Sequence, residues 1–498
     1  MTFDVHQLDL FLLVGSAVTI LAILAVRLSS RAGLPSLLIY LLMGVVLGEQ
    51  FFGVQFENAA VAQALGFAAL AIILAEGGLT TSWRDFRPSM RIGLSLATIG
   101  VAVSVTVMAL GAHYLLGLPW ELAVLLGAVT SPTDAAAVFS VLRVAPIKKR
   151  LSGALEAESG LNDAPTVVLV TLISTDAMGD HGIPFAIGIV VFELVVGVAC
   201  GLAAGFGGAW LMRRAALPAS GLYPIAVLTL TFLAYGAAAF VHASGFAAVY
   251  VAALVLGNSE LPHRGATRSF AEGVAWLAQI GLFVMLGLLL SPGRLSEEVV
   301  GLALLAGLIL TVLARPISVL ASSIVSPLPW RDLTFLSWAG LRGAVPIVLM
   351  TIPLAEGVED APKLFDVVFV MVVVYTLLTG PTLPIVARWL GVDRRNEPRD
   401  LDLEAAPLER IAADLLQVTI TPASRLHGVE VGELRLPTGA SVSMLIREGQ
   451  SLVPERRTVL KRGDDMLVVT PRRLREATER RLREVSIGGR LAQWLPDE

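Results

Sequence analysis

Glu158-Ser-Gly-Leu-Asn-Asp-Ala-Pro165 places two carboxylates, a hydroxyl and an amide inside a hydrophobic stretch. As a helix, Glu158, Ser159, Asn162 and Asp163 fall within an arc of about 140°, one polar face on an otherwise apolar rod. An ionisable side chain in the middle of a membrane span costs at least about 2.5–3.5 kcal/mol and by default marks an ion pathway, a proton relay or a binding site. That face therefore needs partners or an ion. Structural pairing is the competing explanation, and it weighs more on Glu158 than on Asp163.

The surroundings support a membrane setting. Of 498 residues, 55% are hydrophobic and only 16% charged, against about one quarter charged in soluble globular domains. Most of the chain belongs in lipid, which excludes an ordinary soluble enzyme. The net charge of -4 averages an apolar body reaching about residue 391 and a charged tail, and no nucleic-acid partner is implied. Cys200 is the single cysteine, so an intrachain disulfide is excluded, and the six histidines lie far apart without metal-ligand spacing. Asp4 and Asp9 precede the first basic residue, Arg27. A secretory signal would begin with a basic segment, so the first helix is expected to stay in the mature protein.

A membrane span needs about 20 largely apolar residues. Thirteen such stretches are expected near 8–28, 34–52, 59–79, 91–115, 119–142, 151–176, 183–212, 221–241, 245–258, 267–291, 297–324, 331–354 and 364–390, the ninth being short. Positive charge tests that count, because cytoplasmic loops are enriched in Lys and Arg near span ends. Arg27 and Arg31, then Arg84, Arg87 and Arg91, then Arg143, Lys148, Lys149 and Arg150 follow the odd-numbered spans. Arg213 and Arg214, Arg264 and Arg268, and Arg331 continue the series, whereas the intervening loops hold only Arg294 and Lys363. The alternation puts the N-terminus outside and the tail in the cytoplasm.

Two spans are interrupted. In the fifth, Ala128-Val-Thr-Ser-Pro-Thr-Asp-Ala135 brings a proline, hydroxyls and a carboxylate to mid-depth; in the twelfth, Gly340-Leu-Arg-Gly-Ala-Val-Pro346 does so with a positive charge. Proline removes a backbone donor and clashes with the preceding turn. Unwound backbone at membrane depth survives only when buried in protein or lining a wet cavity. Broken helices at corresponding places in two halves point to a midplane site between inverted repeats, and spans 5 and 12 correspond if spans 1–6 and 8–13 are the repeats. Two unrelated proline kinks are the alternative.

The candidate site then holds Asp134, Glu158 and Asp163 against Arg342 and, in span 11, Arg315, leaving about one negative charge for one monovalent cation or one proton. Burial favours the neutral form of a carboxyl group and a nearby arginine favours the charged one, so an unpaired aspartate can exchange the two. Hydroxyls and carbonyls of the broken fifth span are hard oxygen ligands that suit an alkali cation.

Beyond residue 391 the period changes. A linker is expected over 392–409, then a small α/β domain over 410–486, with strands at 416–421, 441–446 and 466–470, a turn at Gly463-Asp464-Asp465, and a basic surface helix over 472–483.

Ser131-Pro-Thr-Asp134, Glu158-Ser-Gly-Leu-Asn-Asp163 and Gly340-Leu-Arg-Gly-Ala344, in this order and spacing, resemble the signature segments of the monovalent cation:proton antiporter family, in its NhaP-type branch with an Asn-Asp pair. The resemblance covers essentially the whole membrane part, 1–391. It implies an all-α polytopic membrane protein of about 13 transmembrane helices, an inverted-repeat fold with two broken crossing helices, and a core that carries the ion against a dimerising domain by alternating access. It also implies roles: Asp163 as carrier of cation and proton; Thr133, Asp134 and Ser159 around the transported alkali cation; Asn162 organising the crossing. Glu158 would pair with Arg342, Arg315 in Leu313-Ala-Arg-Pro316 being a weaker match. Glu76 in Ala75-Glu-Gly-Gly78 fits a family pattern too, with structural pairing equally open.

The tail, through Gly428, 434–437, Val442, Leu460 and 463–465, resembles the C-terminal regulatory (TrkA-C or RCK-C) domain of potassium-uptake and potassium-gating proteins. Related domains bind nucleotides or cyclic dinucleotides; a dimerisation module without ligand is the alternative. Together the resemblances imply an electroneutral potassium/proton antiporter, a homodimer in a bacterial inner membrane with no resident cofactor, sodium being the alternative cation. A potassium channel would need a Thr-Val-Gly-Tyr-Gly filter, and an intramembrane aspartyl protease a Gly-x-Gly-Asp segment; neither occurs.

Overall fold

Among the described residues, helices occupy all thirteen expected positions. The computed structural model describes residues 5–492 without 33–35, 51, 55, 57, 135–136, 138–146, 176–181, 394–400, 409–412, 422–423 and 490–491. Spans 1 to 6 are Val5–Ala32, Ser36–Leu47, Ala59–Thr80, Arg87–Leu116, Trp120–Thr130 and Lys149–Ser174. Spans 7 to 11 are Gly182–Arg214, Leu222–Phe240, Gly245–Asn258, Arg264–Leu289 and Glu297–Ser322; span 12 is Trp330–Trp338 followed by Ala344–Glu356; span 13 is Ala361–Trp389. Seven of these helices are long and apolar enough to cross a membrane, and five shorter apolar helices include spans 2 and 9 and both interrupted spans. The second part of span 5, with Ala135 and Arg143, lies outside the described residues apart from Ala137, which is helical.

The spans pack as two groups. Spans 2, 3, 7, 8, 9 and 10 lie against one another, as do spans 4, 5, 6, 11, 12 and 13. Between the groups, span 6 touches spans 7 and 9, and the second helix of span 12 touches spans 3 and 10. Within the second group, spans 4 and 11 are related in a way the repeat hypothesis anticipates. Each contains one π-helical turn, Leu96–Gly100 and Ile309–Ala314, and each packs its own following α-helix on the π turn of the other. The Ser95 hydroxyl donates to the Ser322 carbonyl (2.9 Å) and the Ser322 hydroxyl to the Ser95 carbonyl (3.2 Å).

Both expected interruptions are present. Residues 131–134 and 340–343 leave the helix, and the two breaks are joined where the Asp134 amide donates to the Leu341 carbonyl (3.0 Å). Proline explains each position: Pro132 and Pro346 cannot supply the amide that a continuous helix would use.

The tail forms its own compact unit, 394–498. Its sheet has the order β1-β2-β5-β3-β4, antiparallel throughout, from β1 (Leu401–Leu408), β2 (Ala413–Ile420), β3 (Ser441–Arg447), β4 (Gln450–Leu452) and β5 (Asp465–Pro471). The expected linker is thereby corrected: 401–408 is an edge strand, and 394–400 lies outside the described residues. Glu448 and Gly449, both at positive φ, close the β3–β4 hairpin, as a two-residue turn of that twist requires. Leu416, Val418, Leu445, Met466 and Val468 form the core with Leu482 and Val485 of the C-terminal helix Arg475–Gly488. Asp464 is pinned by Arg447 through Nε (2.8 Å) and Nη2 (2.7 Å) and by the Lys461 amide (2.8 Å). Burial would raise its carboxyl, but these donors outweigh it and hold the group below the usual carboxylate range.

Candidate functional site

Span 6 carries two polar faces rather than one. Glu156, Ser159, Gly160 and Asp163, at i, i+3, i+4 and i+7, line a cavity of about 280 Å³. Glu158 and Asn162, one turn apart, face away from it into the second group of spans. The 140° arc expected from sequence is wide enough to serve both surfaces.

Glu158 corrects an expectation. Its partner is Arg315, not Arg342: Arg315 Nη2 donates to Oε2 (2.8 Å) and Nη1 to Oε1, with both side chains at most 5% exposed. Arg315 Nε also donates to the Leu336 carbonyl (3.3 Å). Arg342, equally buried, donates from Nε to the Thr130 carbonyl (2.8 Å) and from Nη1 to the Gly340 carbonyl (2.8 Å). It thus places a positive charge at the C-terminal end of the first half of span 5, where the helix dipole is negative. The Thr376 hydroxyl holds the carbonyl of Arg342 itself (2.9 Å).

Asp134 Oδ1 accepts from the Ala137 amide (3.2 Å). The carboxylate lies so close over Gly343 that any β-carbon there would collide with Oδ2, which requires glycine at the start of the second helix of span 12. Thr133, 2% exposed, accepts from Asn162 Nδ2 (3.0 Å). This bond ties span 6 to the break in span 5.

Of the residues expected around the ion, Asp163, Asp134 and Ser159 line the cavity, whereas Thr133 and Asn162 bond to each other behind it. Asp163 is 5% exposed and its Oδ1 has no hydrogen-bond partner among the described residues. A desolvated carboxylate oxygen in that state is a place for a proton or a cation. The cavity lies between the two groups of spans, walled by spans 2, 3, 9 and 10 on one side and by 5, 6 and 12 on the other. It runs past Glu76, Thr80 and Thr81 at the C-terminal end of span 3 and past Glu272 near the start of span 10. These ends border two loops of the basic series, at Arg84, Arg87 and Arg91 and at Arg264 and Arg268. Glu76 joins the cavity wall, while Glu156, Tyr250 and Glu272 were not singled out by sequence. The signal for Glu156 was available: it precedes Asp163 by seven residues and so shares its face.

Comparison with known proteins identifies the family. Residues 17–389 match the family described as sodium/hydrogen exchanger, transmembrane, and residues 415–483 match the TrkA-C domain. The chain is 36% identical over 474 residues to the K(+)/H(+) antiporter NhaP of Alkalimonas amylolytica, covering 93% of this chain and 82% of that one. It is 35% identical over 488 residues to the K(+)/H(+) antiporter NhaP2 of Shewanella baltica strain OS223, covering 95% and 83%. The Na(+)/H(+) antiporter ApNhaP of Aphanothece halophytica is 28% identical over 449 residues, covering 85% and 84%. Among solved structures, the sodium proton antiporter MjNhaP1 from Methanocaldococcus jannaschii at pH 8 has the same fold, with a TM-score of 0.65 at 20% identity over 77% of this chain and 99% of that one. The chain therefore belongs to the sodium/hydrogen exchanger family of membrane transporters and carries a TrkA-C domain after its membrane part.

Proposed function

We propose that this chain exchanges cytoplasmic potassium for external protons, one for one, with Asp163 as the shared carrier. The observation that carries the reading is the state of the buried charges. Arg315 holds Glu158, Arg342 caps the break in span 5, and Asp134 accepts from the Ala137 amide. Asp163, which lines the cavity, alone among the buried site residues has an unpartnered carboxylate oxygen. Asp134 and Ser159 stand beside it as further oxygen ligands, and Asn162 and Thr133 fix the backbone break that brings them there. Potassium is favoured by the relatives named for it, which match at 35–36% against 28% for the one named for sodium. The regular basic loops support an external N-terminus and a cytoplasmic tail in a bacterial inner membrane, and the exposed apolar flank of span 7 supports a homodimer. The tail's effector would be a nucleotide or cyclic dinucleotide.

The test is proton movement in inside-out vesicles challenged with each alkali cation in turn. Potassium should dissipate an imposed pH gradient at lower concentration than sodium; the reverse order would reassign the cation. Asp163→Asn should abolish exchange with every cation while the protein still inserts, and substantial exchange by that variant would sink the carrier assignment.

A further inference from the structure

Asp163 occupies one end of the cavity, and two turns of span 6 separate it from Glu156. Polar side chains stand among the apolar residues of the wall between them. Glu156 accepts a hydrogen bond from the hydroxyl of Thr81, which is 2% exposed. Tyr250 of span 9, 3% exposed, lies over Gly160, so closely that a β-carbon there would come within 2.6 Å of the tyrosine hydroxyl oxygen. That hydroxyl makes no hydrogen bond of ordinary length among the described residues, although the Thr81 side chain is close enough to interact with it, and Tyr250 is part of the cavity wall. Buried tyrosine hydroxyls ordinarily find a partner. Gly160 is one turn after Glu156 and three residues before Asp163, so the tyrosine oxygen sits between the two carboxylates.

We infer that Glu156, Thr81 and the Tyr250 hydroxyl form a transit site for a partly hydrated monovalent cation on its way between the cavity mouth and Asp163. The inference rests on the antiport reading above and adds a second binding position to it. One carboxylate with two neutral oxygens matches a single positive charge, and a divalent ion of the calcium type would demand six or more oxygen ligands. The site is also divided between moving parts. Glu156 travels with span 6 and Asp163, whereas Thr81 caps span 3 and Tyr250 belongs to span 9, in the other group. Sliding of one group against the other parts these oxygens, so the cation is held there only while the cavity is in the arrangement seen here, and is then released to Asp163 or to the mouth.

Two readouts test the site. In potassium-driven proton flux by proteoliposomes, Tyr250→Phe and Glu156→Gln should each raise the half-saturating potassium concentration about 3- to 10-fold, with a smaller change in maximal rate. An unchanged half-saturation in both variants, or a loss of maximal rate and thermal stability without that shift, overturns the proposal. Binding without transport is read in the Asp163→Asn background. There, potassium chloride should raise the unfolding temperature above that in N-methylglucamine chloride of equal ionic strength, and adding Tyr250→Phe should remove the difference. Absence of potassium-specific stabilisation in Asp163→Asn, or an equal one in the double variant, overturns the site. Wild-type flux in the same preparation tests the antiport reading separately, since a protein without flux can still show or lack the stabilisation.

Discussion

Arg315 takes both oxygens of Glu158 because it enters at the start of an α-helical turn, after the π segment Ile309–Ala314, where span 11 faces span 6. Arg342 sits in unwound backbone instead, and its guanidinium donates to the carbonyls of Thr130 and Gly340. Breaking a buried pair from one side costs about 3–5 kcal/mol, because the surviving charge is left alone. Glu158→Gln and Arg315→Met should therefore each lower thermal stability by that amount, and the two together should recover part of it. Glu158→Gln combined with Arg342→Gln should recover less, because Arg342 bonds to backbone carbonyls and not to Glu158; an equal or larger recovery in that combination, measured by unfolding in detergent, would return the pairing to Arg342. The sequence showed that three buried acids and two buried bases had to be reconciled, and Asp163, Asp134 and Ser159, expected around one ion, line one cavity. The sequence did not show which arginine meets Glu158, because that depends on where spans 6, 11 and 12 cross, and residue spacing within one helix carries no information about its neighbours.

At the scale of elements, period and proline were sufficient where a segment obeyed one rule. The breaks at 131–134 and 340–343 follow from Pro132 and Pro346, and the strands at 441 and 465 from their composition. β1 escaped because only Leu401-Asp-Leu-Glu404 alternates before Ala-Ala-Pro breaks the pattern. An edge strand tolerates proline, since one row of its backbone groups has no partner, and Pro407 lies opposite Asp414 on β2. The turn before β5 was legible, but the role of its aspartate was not: Asp464 is 1% exposed and joins the turn to β3 through Arg447. Its folded carboxyl lies below the value of about 3.9 expected in an unfolded chain. The sign follows from that order. The stabilisation is fully present above about pH 4 and is lost as pH falls through the folded value. Asp464→Asn should destabilise the tail by about 2–3 kcal/mol at neutral pH and flatten its response to acid below pH 4. Protease susceptibility of the tail in the full chain, followed against pH, measures both; an unaltered acid profile would remove Asp464 from the account.

Across the whole molecule, the end of span 13 is tied to the start of span 6. The Lys148 amide donates to the Val392 carbonyl (3.1 Å), Ile147 and Asp393 form an antiparallel bridge, and Lys148 Nζ reaches Asp332 at the start of span 12 (3.2 Å). A chain ending at Asn396 keeps all of these and should still exchange ions, with altered regulation. One ending at Leu390 loses Val392, which is fully buried, and should lose stability and exchange together in a vesicle assay; equal behaviour of the two truncations would show the tie to be incidental. The charge balance of the site governs the transport cycle as a whole. On the proposed reading, Asn162 cannot titrate, Glu158 is held by Arg315 and Asp134 is engaged at the crossing, so Asp163 would carry one proton against one cation. Such a cycle moves no net charge, and a membrane potential does no work on it. Its direction is set by the two chemical gradients alone, which in a potassium-rich cell drive potassium outward and protons inward. In proteoliposomes, a potential imposed by a potassium-independent ionophore system should leave the initial exchange rate unchanged. A rate that varies steeply with voltage would mean that a second proton travels with each cation, and Asp134, the other carboxylate on the same cavity as Asp163, is the group that would carry it.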